Sequence, residues 1–132
     1  MSDLASQIAA RIGAKNVVSD ADLLASHLNE WRGRYSGRTP FAAFPATTAE
    51  VSDIVKLCAA TGAKITMQGG NTGLVGGQIP DGEVLVSLKR MNRIREIDAA
   101  NDSLIAEAGV ILADVQQAAA ESNRLFPVSL AA

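Results

Sequence analysis

The stretch that decides the fold of this chain is Ala63-Lys64-Ile65-Thr66-Met67-Gln68-Gly69-Gly70-Asn71-Thr72-Gly73-Leu74-Val75-Gly76-Gly77. Its first five residues have the composition of a short β-strand, and five glycines fall within the ten positions 68–77. Because glycine has no Cβ and adopts positive φ at little cost, such a loop can direct successive backbone N–H groups at one anion. The stretch therefore predicts an anion-binding loop, with a nucleotide pyrophosphate as its natural ligand. A flexible surface connection is the alternative, although it would usually carry Ser, Lys or Glu where Leu74 and Val75 stand.

The glycine loop departs from two well-known phosphate-binding patterns. No Lys-Ser or Lys-Thr pair follows the glycines, so the pattern of nucleoside triphosphatases fails. The dinucleotide fingerprint G-x-G-x-x-G also fails, because a motif started at Gly69 has Asn71 in its third position. A turn at residues 79–82 stands where that fingerprint would begin a helix. We therefore expect a nest of loop amides without a helix dipole behind it, with Asn71 and Thr72 adding side-chain hydrogen-bonding groups.

The loop and three further segments resemble a known family. Residues 67–77 resemble the first FAD-pyrophosphate loop of the FAD-linked oxidases related to vanillyl-alcohol oxidase, and most of all the D-2-hydroxyacid dehydrogenase branch, with its D-lactate, D-2-hydroxyglutarate and glycolate dehydrogenases. Residues 29–35 are similar to the Asp-Trp-Arg-Gly-Arg-Tyr signature of that branch, with Glu30 in place of the usual Asp. Residues 45–51 resemble its strand-to-helix connection, and residues 86–92 resemble the segment after the loop.

The resemblance implies an α+β fold that is α/β-like in its first half, namely an FAD-binding domain of the vanillyl-alcohol oxidase type. A small, mostly parallel sheet would be followed by the start of a second, antiparallel α+β half. FAD is the implied cofactor, and a small D-2-hydroxy acid of the lactate, glycolate or 2-hydroxyglutarate type is the implied substrate. The cofactor-binding residues that the resemblance predicts are Gln68, Gly69, Gly70, Asn71, Thr72, Gly73, Leu74, Gly76 and Gly77. For Gln68, support of the loop and contact with the flavin both stay open.

The length of the chain bears on its activity. At 132 residues it is expected to be one partial FAD-binding domain, since family members are several times longer. Residues 1–40 would form N-terminal helices and a loop, residues 41–92 the first half with the glycine loop, and residues 93–132 the start of an interrupted second half. In the family, the catalytic histidines and any metal lie further on, so we expect no catalytic or metal-ligating residue here and no activity of the chain alone. A non-catalytic nucleotide-binding or assembly module with a separately encoded remainder is the alternative, and a plain structural domain is a third possibility.

Composition excludes several classes of function. A net charge of −2 and a pI near 5.3 argue against a nucleic-acid partner. The single cysteine, Cys58, excludes an internal disulfide and a cysteine metal cluster. No apolar run approaches the ~20 residues of a membrane span, and no secretory signal is seen, so a cytoplasmic location is expected. FAD is the expected partner, a hydroxy acid would bind only through a missing C-terminal domain, and oligomerisation stays open.

Apolar periodicity and turn residues predict the order of the elements. The predicted elements are a helix ended by Gly13, a short helix from a Ser19 cap through Ser26, a strand within 41–45, a helix from a Thr47 cap to Gly62, strands 63–67 and 84–87, a hairpin of 94–98 with 103–108, and a helix 111–122. Glu50 would complete a capping box with Thr47. His27 is expected to be a surface or helix-end group, and Cys58 a buried core residue. Residues 28–40 show no periodicity.

Overall fold

The computed structural model describes residues 3–130; the outermost residues of the predicted domain, 1–2 and 131–132, lie outside that range. The helices are α1 (Asp3–Ile12), α2 (Ala21–Leu28), α3 (Thr48–Thr61) and α4 (Leu112–Glu121), with a 3-10 turn at Ala14–Asn16. The strands are β1 (Val17–Val18), β2 (Ala42–Ala43), β3 (Ile65–Gln68), β4 (Val84–Ser87), β5 (Ile94–Asp98) and β6 (Ser103–Ala106). The predicted α+β class is therefore confirmed.

A four-stranded sheet with the order β1-β2-β4-β3 forms the centre of the first half. β4 pairs in parallel with both β2 and β3, and β1 runs antiparallel to β2. Every residue of β4 is buried, as expected for a parallel strand that is covered on both faces. Val84 and Val86 pack with α1 and α3, whereas Leu85 packs on the opposite face with Leu24 of α2. The sheet therefore lies between two helical layers, and its parallel strands end at a common edge.

Helix α3 is anchored by both its ends and one face. The Thr47 hydroxyl accepts a hydrogen bond from Glu50 N, and Gly62 closes the helix in a left-handed conformation. The Glu50 carboxylate accepts from Ala46 N, one residue before the predicted partner. Ile54 and Cys58 are buried on the inner face, which confirms the predicted core position of Cys58, and burial raises the pKa of its thiol.

The second half consists of an antiparallel β5–β6 hairpin and α4. Val115 and Ala119 form the buried face of α4, which packs against β5. The buried carboxylate of Glu107 follows β6 and accepts hydrogen bonds from the side chains of Arg93 and Arg95. The side-chain hydrogen bond from Arg93 is the largest cause that lowers the Glu107 pKa, to about 2 from its ordinary value of 4.5. The buried Glu107 carboxylate thus joins the end of β6 to β5 and to the residue before it, Arg93.

Several predicted elements differ from the structure, among them the second hairpin strand, which ends at Ala106 and not at residue 108. Helix α2 is capped by Asp20 and not by Ser19, because the Asp20 carboxylate accepts from Asp22 N and Leu23 N, and it extends to Leu28. Strand β3 begins at Ile65 and includes Gln68, which places that side chain in the sheet. Residues 28–40 are not irregular throughout, since they contain an antiparallel bridge between Asn29 and Ser36 and a parallel bridge from Arg38 to Asp81.

Candidate cofactor site

The glycine loop leaves the carboxyl end of β3, at the edge where ligands bind in open parallel sheets. A cavity of about 570 Å³ lies there between the loop and the beginning of α4. Its lining consists of Gly69, Gly70, Thr72, Lys89, Asn92, Ala108, Gly109, Val110, Ile111, Leu112, Ala113, Asp114, Gln116, Ser129 and Leu130. Of the predicted cofactor-binding residues, the structure thus brings three to the cavity wall, namely Gly69, Gly70 and Thr72.

The backbone N–H groups of the loop are available to a ligand. Within residues 3–130, none of the N–H groups of residues 69–77 donates a hydrogen bond. The Thr72 side chain is exposed and also has no hydrogen-bond partner among the described residues. Unpaired donors of this kind, gathered on a glycine-rich turn, are the arrangement that binds anions.

A helix N-terminus forms the opposite wall of the cavity, which corrects the expectation that no helix dipole contributes. Ile111 is the N-cap of α4, and its side chain makes no capping hydrogen bond. The N–H groups of Leu112 and Ala113 have no partner among the described residues. The partial positive charge of a helix N-terminus therefore faces the same cavity as the loop. No local pattern around the glycine loop predicts this, because α4 begins 35 residues after Gly77.

The side chain of Asn71 has a structural role in place of the predicted contact with a phosphate. Asn71 Nδ2 donates hydrogen bonds to the carbonyl oxygens of Ser26 and Asn29, and its Oδ1 accepts from Gln78 Nε2. Both side-chain N–H groups of Asn71 are therefore occupied, and neither is left over for the predicted contact with a phosphate. Asn71 also adopts a positive φ of 57°, a conformation that Asn tolerates well. Its own backbone N–H donates no hydrogen bond within residues 3–130.

Gln68 supports the loop through hydrogen bonds of its side chain. Its side chain is buried, and Nε2 donates to the carbonyl oxygens of His27 and Gln78. The amide cannot be flipped, because Oε1 would then face two other acceptors. The structure therefore assigns Gln68 to support of the loop, and its side-chain nitrogen is not free for a flavin.

His27 belongs to the same network. It lies in the last turn of α2, as predicted for a helix-end group, and its side chain is half-buried and not free at the surface. Its Nδ1 lies 2.6 Å from Gln68 Oε1, which can only accept, so Nδ1 carries a proton. Its ring stands edge-on to Phe44, with 5.4 Å between the ring centroids. Lys89 Nζ lies 3.4 Å from His27 Nε2 and 4.6 Å from the Phe44 centroid. Lys89 also lines the cavity, so this network joins the loop to a cation at the site.

The remaining predicted residues shape the loop away from the cavity wall. Gly73 O accepts from Gln78 Nε2, and Leu74 O accepts from Arg32 Nη2. Gly76 has a φ of 80° and lies against the ring of Tyr35, where a Cβ would come within 2.8 Å of the ring. Like Gly77, these residues do not line the cavity.

The comparisons with known proteins identify the family. A family model described as FAD binding domain matches residues 40–132, and the chain belongs to this family. It is 36% identical over 132 residues to a probable mitochondrial D-2-hydroxyglutarate dehydrogenase of Oryza sativa subsp. indica, covering 99% of this chain and 24% of that protein. It is 37% identical over 121 residues to a putative mitochondrial D-lactate dehydrogenase of Schizosaccharomyces pombe, covering 91% and 23%. The chain thus spans about a quarter of the length of the curated relatives that it matches.

Solved flavoproteins share the fold. The substrate-bound structure of p-cresol methylhydroxylase superposes with a TM-score of 0.76 and 26% identity, covering 96% of this chain and 25% of that one. The 4-ethylphenol oxidase of Gulosibacter chungangensis, in its isoeugenol complex, gives a TM-score of 0.79 and 25% identity, with 92% and 24% covered. The chain is therefore an FAD-binding domain of vanillyl-alcohol oxidase type, as its sequence suggested, and FAD is its cofactor.

Residues 3–130 contain neither a candidate membrane span nor a candidate metal-binding cluster. Over that range no helix is long and apolar enough to span a membrane. In the same part of the chain, no three or more His, Cys, Asp or Glu side chains are grouped so that they could hold a metal ion.

Proposed function

We propose that this chain is the FAD-holding part of a flavin-dependent dehydrogenase that oxidises a small D-2-hydroxy acid. The observation that carries the cofactor part is the cavity in which unpaired loop amides and the uncapped start of α4 face each other. The substrate class is supported by the names of the relatives, which are D-2-hydroxyglutarate and D-lactate dehydrogenases. When bound, FAD supplies a hydride acceptor for the carbon that bears the hydroxyl group.

The chain's own residues would bind the pyrophosphate of FAD. Gly69 and Gly70 present backbone close to the cavity without side chains, and Thr72 adds its N–H group and an unpaired hydroxyl. Leu112 and Ala113 offer N–H groups at the start of α4, where the helix dipole favours negative charge. Lys89, whose side chain carries a full positive charge, also lines the cavity. Gly73, Leu74, Gly76 and Gly77 would hold the shape of the loop.

The proposed activity belongs to a longer protein. His27, the one histidine of the sequence, has both ring nitrogens engaged by Gln68 and Lys89, so it is a poor candidate for a general base. The residues that bind and deprotonate the hydroxy acid would then come from another part of the protein. A cytoplasmic location remains a proposal from the sequence, and the cited relatives carry mitochondrial names.

Titration of the 132-residue chain with FAD, ADP and riboflavin tests the cofactor part. We expect FAD and ADP to bind and riboflavin to fail, because the cavity would recognise the diphosphate and not the flavin ring. Binding should be weak, with a Kd well above 1 µM, since the chain covers about a quarter of its relatives. Equilibrium dialysis measures all three ligands. Riboflavin binding as tight as that of FAD would contradict recognition of the diphosphate, and absence of FAD binding at millimolar concentration would contradict the proposal.

A further inference from the structure

Residues 28–38 form a segment, here called the strap, that contacts the glycine loop and its exit. This strap precedes residues 40–132, the part that the family model matches. The two ends of the strap are tied together, because Gly37 N donates to Leu28 O, and Arg38 N donates to Pro80 O at the exit of the loop. Gly37 permits this approach, because a Cβ there would lie 2.1 Å from Pro80 O. The strap therefore has a defined position beside the loop.

A buried carboxylate organises the strap. The Glu30 side chain has no exposed surface, and its Oε1 accepts from Arg32 Nε at 2.8 Å. Its Oε2 accepts from Arg34 N, and its backbone N–H donates to Tyr35 O. Burial alone would raise the pKa of the Glu30 carboxyl, but these hydrogen bonds, with that of Arg32 first among them, lower it below its ordinary value. Glu30 is therefore a charged anchor for the Arg32 guanidinium.

Arg32 connects the buried Glu30 carboxylate to the glycine loop. While Nε contacts Glu30, Nη2 donates to Leu74 O at 2.5 Å, across 42 positions of sequence. In a trans peptide the C=O and N–H groups point in opposite directions. When the strap holds a carbonyl group, the N–H group of the following residue therefore points away from the strap. The Leu74 carbonyl bond thus orients Val75 N–H, and the bond of Gln78 Nε2 to Gly73 O does the same for Leu74 N–H. The side chains of Arg32 and Gln78 thus fix the directions of two loop amides, those of Val75 and Leu74.

We propose that Glu30 and Arg32 are positioning residues that hold the glycine loop in its binding shape before the cofactor arrives. The proposal rests on the proposed function, because it concerns binding of the FAD diphosphate to this loop. Its physical basis is preorganisation: a loop that is already ordered loses less conformational entropy when it binds. Tyr35 contributes from the same strap, with its ring packed against Gly76.

The test compares Arg32→Ala with Arg38→Ala in the full 132-residue chain. Arg38 is the matched control, because it belongs to the same strap but pairs with Asp81 at the exposed surface, where the side chains are 80% and 86% exposed. Backbone ¹⁵N relaxation without ligand reports the order of the loop, and titration with FAD reports affinity. For residues 73–76 we expect backbone order parameters of about 0.85 in the wild type and in Arg38→Ala. In Arg32→Ala we expect values below about 0.6. The Kd for FAD should rise about 3- to 10-fold in Arg32→Ala only.

Two conservative variants separate positioning from general stability. Arg32→Lys keeps the charge but lacks the planar fork that serves Glu30 and Leu74 O together, so we expect only partial recovery of loop order. Glu30→Gln keeps the shape of the anchor without its charge and should loosen residues 73–76 less than Arg32→Ala does. Thermal unfolding identifies any variant that has lost its global fold, and in that case Arg32→Lys replaces it in the comparison.

The loop order and the FAD affinity together distinguish a failure of the positioning role from a failure of the proposed function. An ordered loop in Arg32→Ala, or a loosened loop with unchanged FAD affinity, would overturn the positioning role. If the wild-type chain shows no FAD binding at all, the proposed function fails, while the relaxation data still decide whether Arg32 orders the loop.

Discussion

Helices α3 and α4 begin in contrasting ways. The first turn of α3 is closed by Thr47 and Glu50, which take up hydrogen bonds from backbone N–H groups. The first turn of α4 begins at Ile111, which offers no side-chain cap, and it lines the cavity opposite the glycine loop. The N–H groups of a helix start can be closed by side chains, whereas an uncapped start leaves them to water or to a ligand. The difference, together with the cavity, supports the proposal that α4 takes part in binding while the start of α3 serves the fold.

The largest effect is expected from breaking the core attachment of α3. Ile54 has no exposed surface and packs between α1 and the sheet, so Ile54→Ala should lower the free energy of unfolding by about 2–5 kcal/mol. Val55 is the matched control on the same helix, because it is 45% exposed, and Val55→Ala should change stability by less than about 1 kcal/mol. Urea unfolding measures both. Equal losses would show that the core does not anchor α3 as the structure indicates.

The next effect comes from closing the open start of α4. Ile111→Asp would supply the missing cap and a negative charge at the cavity, which should stabilise α4 and repel the FAD diphosphate. We expect the Kd for FAD to rise about tenfold. Ile111→Asn is the matched control, since it caps without charge and should weaken binding less. Tighter FAD binding by Ile111→Asp would contradict an anion site at this helix start.

Opening the start of α3 should affect stability alone. Thr47→Ala removes the acceptor for Glu50 N and should cost about 1 kcal/mol in urea unfolding. FAD affinity should stay at the wild-type value, because Thr47 does not line the cavity. A loss of FAD affinity larger than the loss of stability would mean that the two helix starts are not functionally distinct.

The smallest effect concerns the ion pairs that join the second half. The partners Arg93 and Arg95 are 69% and 48% exposed, so solvent screens their attraction to Glu107. Because the folded pKa of Glu107 is lowered, its contribution is fully present above its ordinary value of 4.5 and is lost as the pH falls towards about 2. Amide NMR signals of the β5–β6 hairpin should therefore shift over this pH range.

Variants assign this acid transition to one residue. Glu107→Gln should remove the transition, whereas Glu96→Gln, at an exposed position of β5, should retain it. Asp98→Asn is included in every variant, because the Asn101 side chain also lowers the pKa of Asp98. If the transition persists in Glu107→Gln, the second half is not held by this carboxylate.

Features could be predicted from the sequence where the interacting residues lie close together along the chain. Thr47 and Glu50 lie three residues apart in one turn, and the glycines follow their strand directly, so local patterns revealed both. The contact of His27 with Gln68 joins positions 41 residues apart, which no local pattern encodes. For the same reason no local pattern predicts that the strap residue Arg32 contacts the loop. The Asn71 side chain likewise finds its carbonyl partners more than 40 positions away, at Ser26 of α2 and at Asn29.

Amide NMR of the ¹⁵N-labelled chain, titrated with FAD, shows whether an anion binds between the glycine loop and the start of α4. We expect the largest shifts at Gly69, Gly70, Thr72, Leu112 and Ala113, with the amides around Thr47 unmoved. Shifts confined to other surfaces, with these five amides unchanged at saturation, would contradict an anion site at this cavity.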